Sequence, residues 1–140
     1  MPASSHALVV YGSGARADAA LGELAATRGG RITVVKLVAQ EPDRSGCCDT
    51  RSVLWNEITR DLGREGLARA ARVVESHRDA SVELVLFSGR RPEEVVIREA
   101  RARDVDEIVL ADARGTQLGP LARRRLRKRS PVAVRFLTSP

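Results

Sequence analysis

Apolar runs of two different periods alternate along this chain, and that alternation limits its fold more than any other feature. Residues 7–11 form a short apolar run that ends at Gly12-Ser13-Gly14, the pattern of a buried strand leaving through a tight turn. Ala17, Ala20, Leu21, Leu24 and Ala25 then recur at i, i+3, i+4, i+7 and i+8, one face of a helix, and Gly29-Gly30 stops it. Residues 31–39 carry Ile32, Val34, Val35, Leu37 and Val38, a second strand of high β propensity.

The alternation continues. Residues 40–50 form a loop with Pro42, Gly46 and Cys47-Cys48, and Asp49 or Thr50 is placed to cap the second helix. Leu54, Ile58, Leu62, Leu67, Ala71 and Val74 keep a helical stripe to about Ser76. Gly63 and Gly66 weaken the middle of that helix, where a bend is expected. Residues 82–87 are a third strand. Pro92 then opens a helix, with Glu93 and Glu94 near the positive end of its dipole and Val96, Ile97 and Ala100 on its buried face. Residues 106–111 are a fourth strand, 121–129 a basic helix and 132–137 a fifth strand. Strand and helix alternate four times before a closing strand, and the strands are apolar almost throughout. The expected fold is α/β: a three-layer α/β/α sandwich around a five-stranded parallel sheet, with right-handed crossovers. A length of 140 residues sets one domain, 1–140, as the expectation.

Aromatic residues are only 3% of the chain, so Val, Leu, Ile and Ala must build the core. No apolar run approaches a membrane span. Residues 1–6 lack a basic segment followed by an apolar one, so no signal peptide and a cytoplasmic location are expected. The adjacent pair Cys47-Cys48 makes no disulfide framework and fits a reducing compartment.

The net charge of +6 is local in origin. Residues 113–140 hold eight Arg or Lys and no Asp or Glu, whereas the rest of the chain is slightly acidic. Projected as a helix, Leu118, Leu121, Ala122 and Leu126 share one arc, and Arg123, Arg124 and Arg127 point the other way. Arg125 and Arg129 fall at or inside the apolar arc and must snorkel or mark fraying. Nucleic acid or an acidic partner is one reading of this surface. The absence of interleaved aromatic residues argues against base stacking.

Two loops are candidate phosphate sites. Gly12-Ser13-Gly14-Ala15-Arg16-Ala17 matches a G-x-G-x-x-A fingerprint between a strand and a helix, with Glu41 placed as a ribose-binding acid. A short strand-to-helix turn favours glycine without any ligand, and the chain is short for a full dinucleotide fold. Arg114-Gly115-Thr116-Gln117-Leu118-Gly119-Pro120 is the second such loop. No Walker loop, nucleophile elbow or His-centred pair is present, and His6 and His77 stand isolated. An enzyme is therefore less expected than a binding protein, and no metal site is expected.

The chain resembles the universal stress protein family over nearly its whole length. Pro92-Glu93-Glu94-Val95-Val96-Ile97 and Val105-Asp106-Glu107-Ile108-Val109-Leu110 resemble that family's third helix and fourth strand. Ser130-Pro131-Val132-Ala133-Val134 resembles its closing strand, and Val9-Val10-Tyr11-Gly12-Ser13 its first. The resemblance implies a Rossmann-like fold of the adenine nucleotide alpha-hydrolase type. Its ATP-binding branch uses an Asp after the first strand and Gly-x2-Gly-x9-Gly-(Ser/Thr) after the fourth. Here Tyr11 holds the Asp position, Ala111 and Arg114 hold the first two glycine positions, four residues precede Gly119, and Pro120 replaces the hydroxyl. The resemblance thus implies the branch without an intact ATP motif, a stress-response protein that is not an enzyme. Gly12, Ser13, Val38, Arg114, Gly115 and Gly119 would line a degenerate pocket, with ATP or AMP as the cofactors to test. It also implies a homodimer through the C-terminal strand. The alternatives are a small adenine-nucleotide-binding or hydrolysing protein with an altered loop, and a nucleic-acid or acidic-partner module working through Arg123, Arg124 and Arg127.

Overall fold

The computed structural model describes residues 5–12, 14–28, 30–38, 50–77, 80–88, 91–111, 116 and 118–137. Strands and helices alternate as β1 (His6–Tyr11), α1 (Ala15–Arg28), β2 (Gly30–Val38), α2 (Thr50–Glu75), β3 (Ala80–Ser88), α3 (Pro92–Ala102), β4 (Glu107–Ala111), α4 (Pro120–Arg129) and β5 (Ala133–Leu137). The five strands form one parallel sheet in the order β3-β2-β1-β4-β5. The expected α/β/α sandwich is the fold observed.

Position in the sheet follows apolarity. All six residues of β1 are buried, and it takes the centre. The edge strands β3 and β5 carry the exposed charges Glu83 and Arg135, a common way to blunt a free edge. Side chains alternate along each strand with period two. Val9, Tyr11, Ile32, Val34, Val109 and Ala111 pack under α1 and α2. Leu8, Val10, Val35, Leu37, Ile108 and Leu110 pack under α3 and α4.

The basic arc of α4 is anchored in a way its projection did not show. Arg125 pairs with the buried Glu93 at 3.5 Å, and Arg129 with Glu94 at 3.7 Å. Both acids lie in the first turn of α3. The two arginines that fall on the apolar arc therefore tie α4 to α3. Leu121, expected on that arc, is 66% exposed instead.

α2 runs unbroken through Gly63 and Gly66. Gly63 marks a close approach, because a Cβ there would lie 2.8 Å from Leu86 Cδ1 and 3.0 Å from Val38 Cγ2. Gly63→Ala is expected to lower unfolding free energy by about 1 kcal/mol. Leu86 Cδ1 ends a half-buried side chain that can turn aside, so the cost falls on the buried, β-branched Val38, whose overpacking by roughly 1–3 kcal/mol outweighs a gain of about 1 kcal/mol in helix propensity. Urea denaturation of the variant checks this, and an increase in stability would refute the close-approach account.

Val38 ends β2, so the part of α2 before Gly63 projects past the carboxyl edge of the sheet. At 1.5 Å per residue this projection is about 20 Å long. It explains a departure from the sequence expectation. Leu54, Ile58 and Leu62 belong to the apolar stripe, yet they are 57%, 54% and 61% exposed. Among the described stripe residues Leu67 and Val74 are buried, where sheet lies beneath them; Ala71 is half-buried, and its neighbour Ala70 is buried instead.

Candidate functional site

The crossovers from β1 and β4 lead to opposite faces of the sheet, so the loops after these strands diverge. Ligands of open α/β sheets bind in the crevice that such a switch point creates. The Gly12 N–H donates to the Ala111 carbonyl at 3.1 Å, which sets the two loops side by side where they start. Gly14 then turns the chain into α1 with φ of +103°, a conformation that side chains strain to adopt. Its carbonyl accepts from the Asp18 N–H at 2.9 Å, closing the first turn.

Tyr11 forms the floor of this region. Its ring is fully buried beneath α1 and α2. Its hydroxyl donates to Asp18 Oδ1, and Asp18 Oδ2 accepts from Arg69 Nη2 of α2 at 2.7 Å. Burial, reinforced by the bond to Asp18, pushes the phenol pKa well above its ordinary value, so Tyr11 stays neutral and acts as a donor. A polar chain of Tyr11, Asp18 and Arg69 thus spans β1, α1 and α2. Sequence reasoning missed Asp18 and Arg69. Asp18, in the first turn of a helix after a glycine turn, offers a weak signal. Arg69, 51 residues further on, offers none.

The expected site residues divide. Gly12 lies at the crevice. Val38 is buried at the end of β2 against Gly63 of α2, on the same sheet face as Tyr11. Gly119 caps α4 in extended conformation, exposed, with open space where a side chain would project. Pro120 follows at the first helical position, without an N–H to offer. Thr116, the hydroxyl of the second loop, is buried and accepts from the Leu118 N–H at 3.4 Å. Ser13, Arg114 and Gly115 lie outside the described residues, as do Glu41, Cys47 and Cys48. Among the described residues no three His, Cys, Asp or Glu side chains gather as a metal site would require. Nor is any described helix long and apolar enough to cross a membrane.

The amino edge of the sheet, opposite the crevice, is a staple. Arg28 pairs with both Asp106 and Glu107. The His6 N–H donates to Asp106 Oδ2 at 2.9 Å, and the Asp106 N–H to the His6 carbonyl at 2.8 Å. The buried His6 ring shares a 2.6 Å hydrogen bond with the Thr33 hydroxyl. Burial chiefly, with the Arg31 charge, lowers the His6 pKa below 6.5; the Arg103 backbone and Glu83 oppose this. As pH falls through about 6.5, the unfolded chain takes up a proton that the folded chain resists. Stability is then lost until the folded pKa is passed. Glu83, held below the ordinary carboxylate range by its 2.5 Å pair with Arg103, responds only at lower pH. The melting temperature is expected to fall between about pH 7.5 and 5.5, and His6→Gln to flatten that slope. An unchanged slope in His6→Gln would assign the pH dependence elsewhere.

The strand order, the four covering helices and the crevice define a universal-stress-protein-like fold. Among solved structures, the chain is similar to the universal stress protein UspA of Lactobacillus plantarum. The identity is 14% and the TM-score 0.74, over 96% of this chain and 99% of that one. A universal stress protein family structure from Burkholderia pseudomallei is 22% identical with a TM-score of 0.64, covering 95% and 96%. The Archaeoglobus fulgidus universal stress protein, solved in complex with dAMP, is 18% identical with a TM-score of 0.60, covering 99% and 100%. No family model matches the sequence, and no curated protein matches it.

Proposed function

We propose that this chain is a stress-response protein of the universal stress protein type, a homodimeric regulator without catalytic activity whose nucleotide pocket is altered. The observation that carries the reading is Tyr11. A buried neutral phenol, committed to Asp18, stands where the ATP-binding branch of the family places a carboxylate. A carboxylate accepts hydrogen bonds from a ligand, and this phenol offers no equivalent acceptor. Pro120 withdraws one more donor from the phosphate side. The free edge of β5, with Val134 and Phe136 half-buried and Ala133 and Arg135 exposed, supports self-association by strand pairing.

A second reading is a small adenine-nucleotide-binding protein, favoured by the open space at Gly14 and Gly119 and by the dAMP bound to the Archaeoglobus protein. In it Gly12, Ser13 and Val38 line the base, and Arg114, Gly115 and Gly119 the phosphate. Mass spectrometry of ligand released from freshly purified protein, with calorimetric titration of ATP and AMP, separates the two readings. The first expects no ATP binding in the micromolar range, and micromolar ATP affinity would overturn it. Sedimentation velocity tests the dimer, and a monomer at all concentrations would remove that part.

A further inference from the structure

A second candidate site lies away from the crevice, where α4 crosses the outer part of the sheet. Arg123, Arg124, Arg127, Pro120 and Phe136 line a groove of about 260 Å³. Its charges differ from the other arginines nearby. Arg125 and Arg129 are held by Glu93 and Glu94, and Arg135 by Glu107 at 3.2 Å. Among the described residues Arg123, Arg124 and Arg127 have no carboxylate partner. The basic C-terminal quarter is thus sorted by the fold: one side of α4 is neutralised by α3, and the groove side keeps its charge.

The groove also supplies what the sequence of α4 lacks. The Arg127 guanidinium sits over the Phe136 ring, 4.7 Å from its centroid. Phe136 lies beyond the end of α4, and the crossover to β5 brings it back beneath the helix. A guanidinium backed by an aromatic ring is held in place, and bases stack on such groups as they do on aromatic rings. Arg123 and Arg127 are one helical turn apart, about 6 Å along the axis, so all three guanidiniums address one short stretch of a strand. Phosphate attraction combined with a stacking platform is how single strands are bound without sequence preference. An acidic peptide would use the charges and leave the platform idle. Duplex DNA keeps its bases stacked on one another and would do the same.

We propose that the α4–β5 groove binds single-stranded nucleic acid, with Arg123 and Arg124 on phosphates and the Arg127–Phe136 pair against a base. The test is fluorescence anisotropy of a labelled single-stranded oligonucleotide with the full chain at several salt concentrations. Two phosphate contacts, or three where Arg127 neutralises one as well, predict a slope of log affinity against log salt of about −1.4 to −2. The triple variant Arg123→Gln/Arg124→Gln/Arg127→Gln should lose at least about tenfold in affinity. Phe136→Leu and Arg127→Lys, which keep the charge, should each lose at least about fivefold. Arg101→Gln, an exposed charge on α3, serves as the control and should change little. Circular dichroism establishes that each variant is folded. Arg127→Lys covers the case in which Phe136→Leu unfolds. Equal affinity for a duplex of the same phosphate count would overturn the proposal. Equal competition by a polyglutamate peptide, or charge-preserving variants that bind as the parent does, would also overturn it.

Discussion

Tyr11→Ala is expected to lower unfolding free energy by about 3–5 kcal/mol, the cost of removing a fully buried aromatic side chain from a packed core. The ring is completely inaccessible on the central strand, beneath Ala17, Ala20 and Leu21 of α1 and Leu67 and Ala70 of α2. Tyr11→Phe isolates the hydroxyl and should cost far less, about 1 kcal/mol. Asp18 is partly exposed and keeps Arg69 as a partner, so the carboxylate that loses its donor recovers water. Denaturant titration of the two variants separates ring from hydroxyl. If Tyr11→Ala cost under about 1 kcal/mol, the ring would not be part of the core, and Tyr11 could not stand as a buried replacement for a ligand-facing carboxylate.

Leu126→Ala should produce the second large effect, about 2.5–5 kcal/mol, and it should be concentrated in α4. Leu126 is the one buried residue of this ten-residue helix. It packs with Leu8, Val10, Ile108 and Leu110 beneath the sheet's second face. A helix so short does not persist in water without tertiary packing, and like charges at Arg123, Arg124, Arg127 and Lys128 repel one another along it. The ion pairs to Glu93 and Glu94 involve exposed arginines and are worth little alone. Amide hydrogen exchange should therefore accelerate in α4 before the rest of the sheet. Uniform acceleration across the molecule would show that α4 unfolds only with the whole. Because the groove depends on α4 lying over β5, this variant should also weaken any ligand held there.

How much of the fold and the site is legible in the sequence depends on the range of the interaction. Every strand announces itself by composition, and α3 by Pro92 with Glu93 and Glu94 behind it. Element ends differ from expectation by a residue or two, as hydrogen bonding at a terminus depends on neighbours the local pattern does not name. The stripe of α2 reads as buried throughout because periodicity reports amphipathicity without reporting what lies opposite. Leu54, Ile58 and Leu62 have the right spacing and no sheet beneath them. Gly63 reads as a weak point, and it is a contact. The candidate crevice is legible at Gly12 and Gly119, which adjoin strand and helix ends. The Tyr11–Asp18–Arg69 chain is not, because it joins three elements whose mutual distance is set only when they pack.

The sequence alone determined the class of fold. Its alternating periods admit a parallel sheet covered on both faces and little else, because each apolar strand must bury two sides. It also determined the sign and place of the excess charge, and that a tyrosine, Tyr11, ends the first strand. The tertiary structure decided what those residues do. It turned Tyr11 inward to Asp18, since a phenol on the central strand is buried wherever α1 and α2 pack. It divided the arginines of α4 into those neutralised by α3 and those left facing a groove, and it placed Phe136 among the latter. Local sequence sets which side chains are available, and only the crossing of elements distant in the chain sets which of them meet.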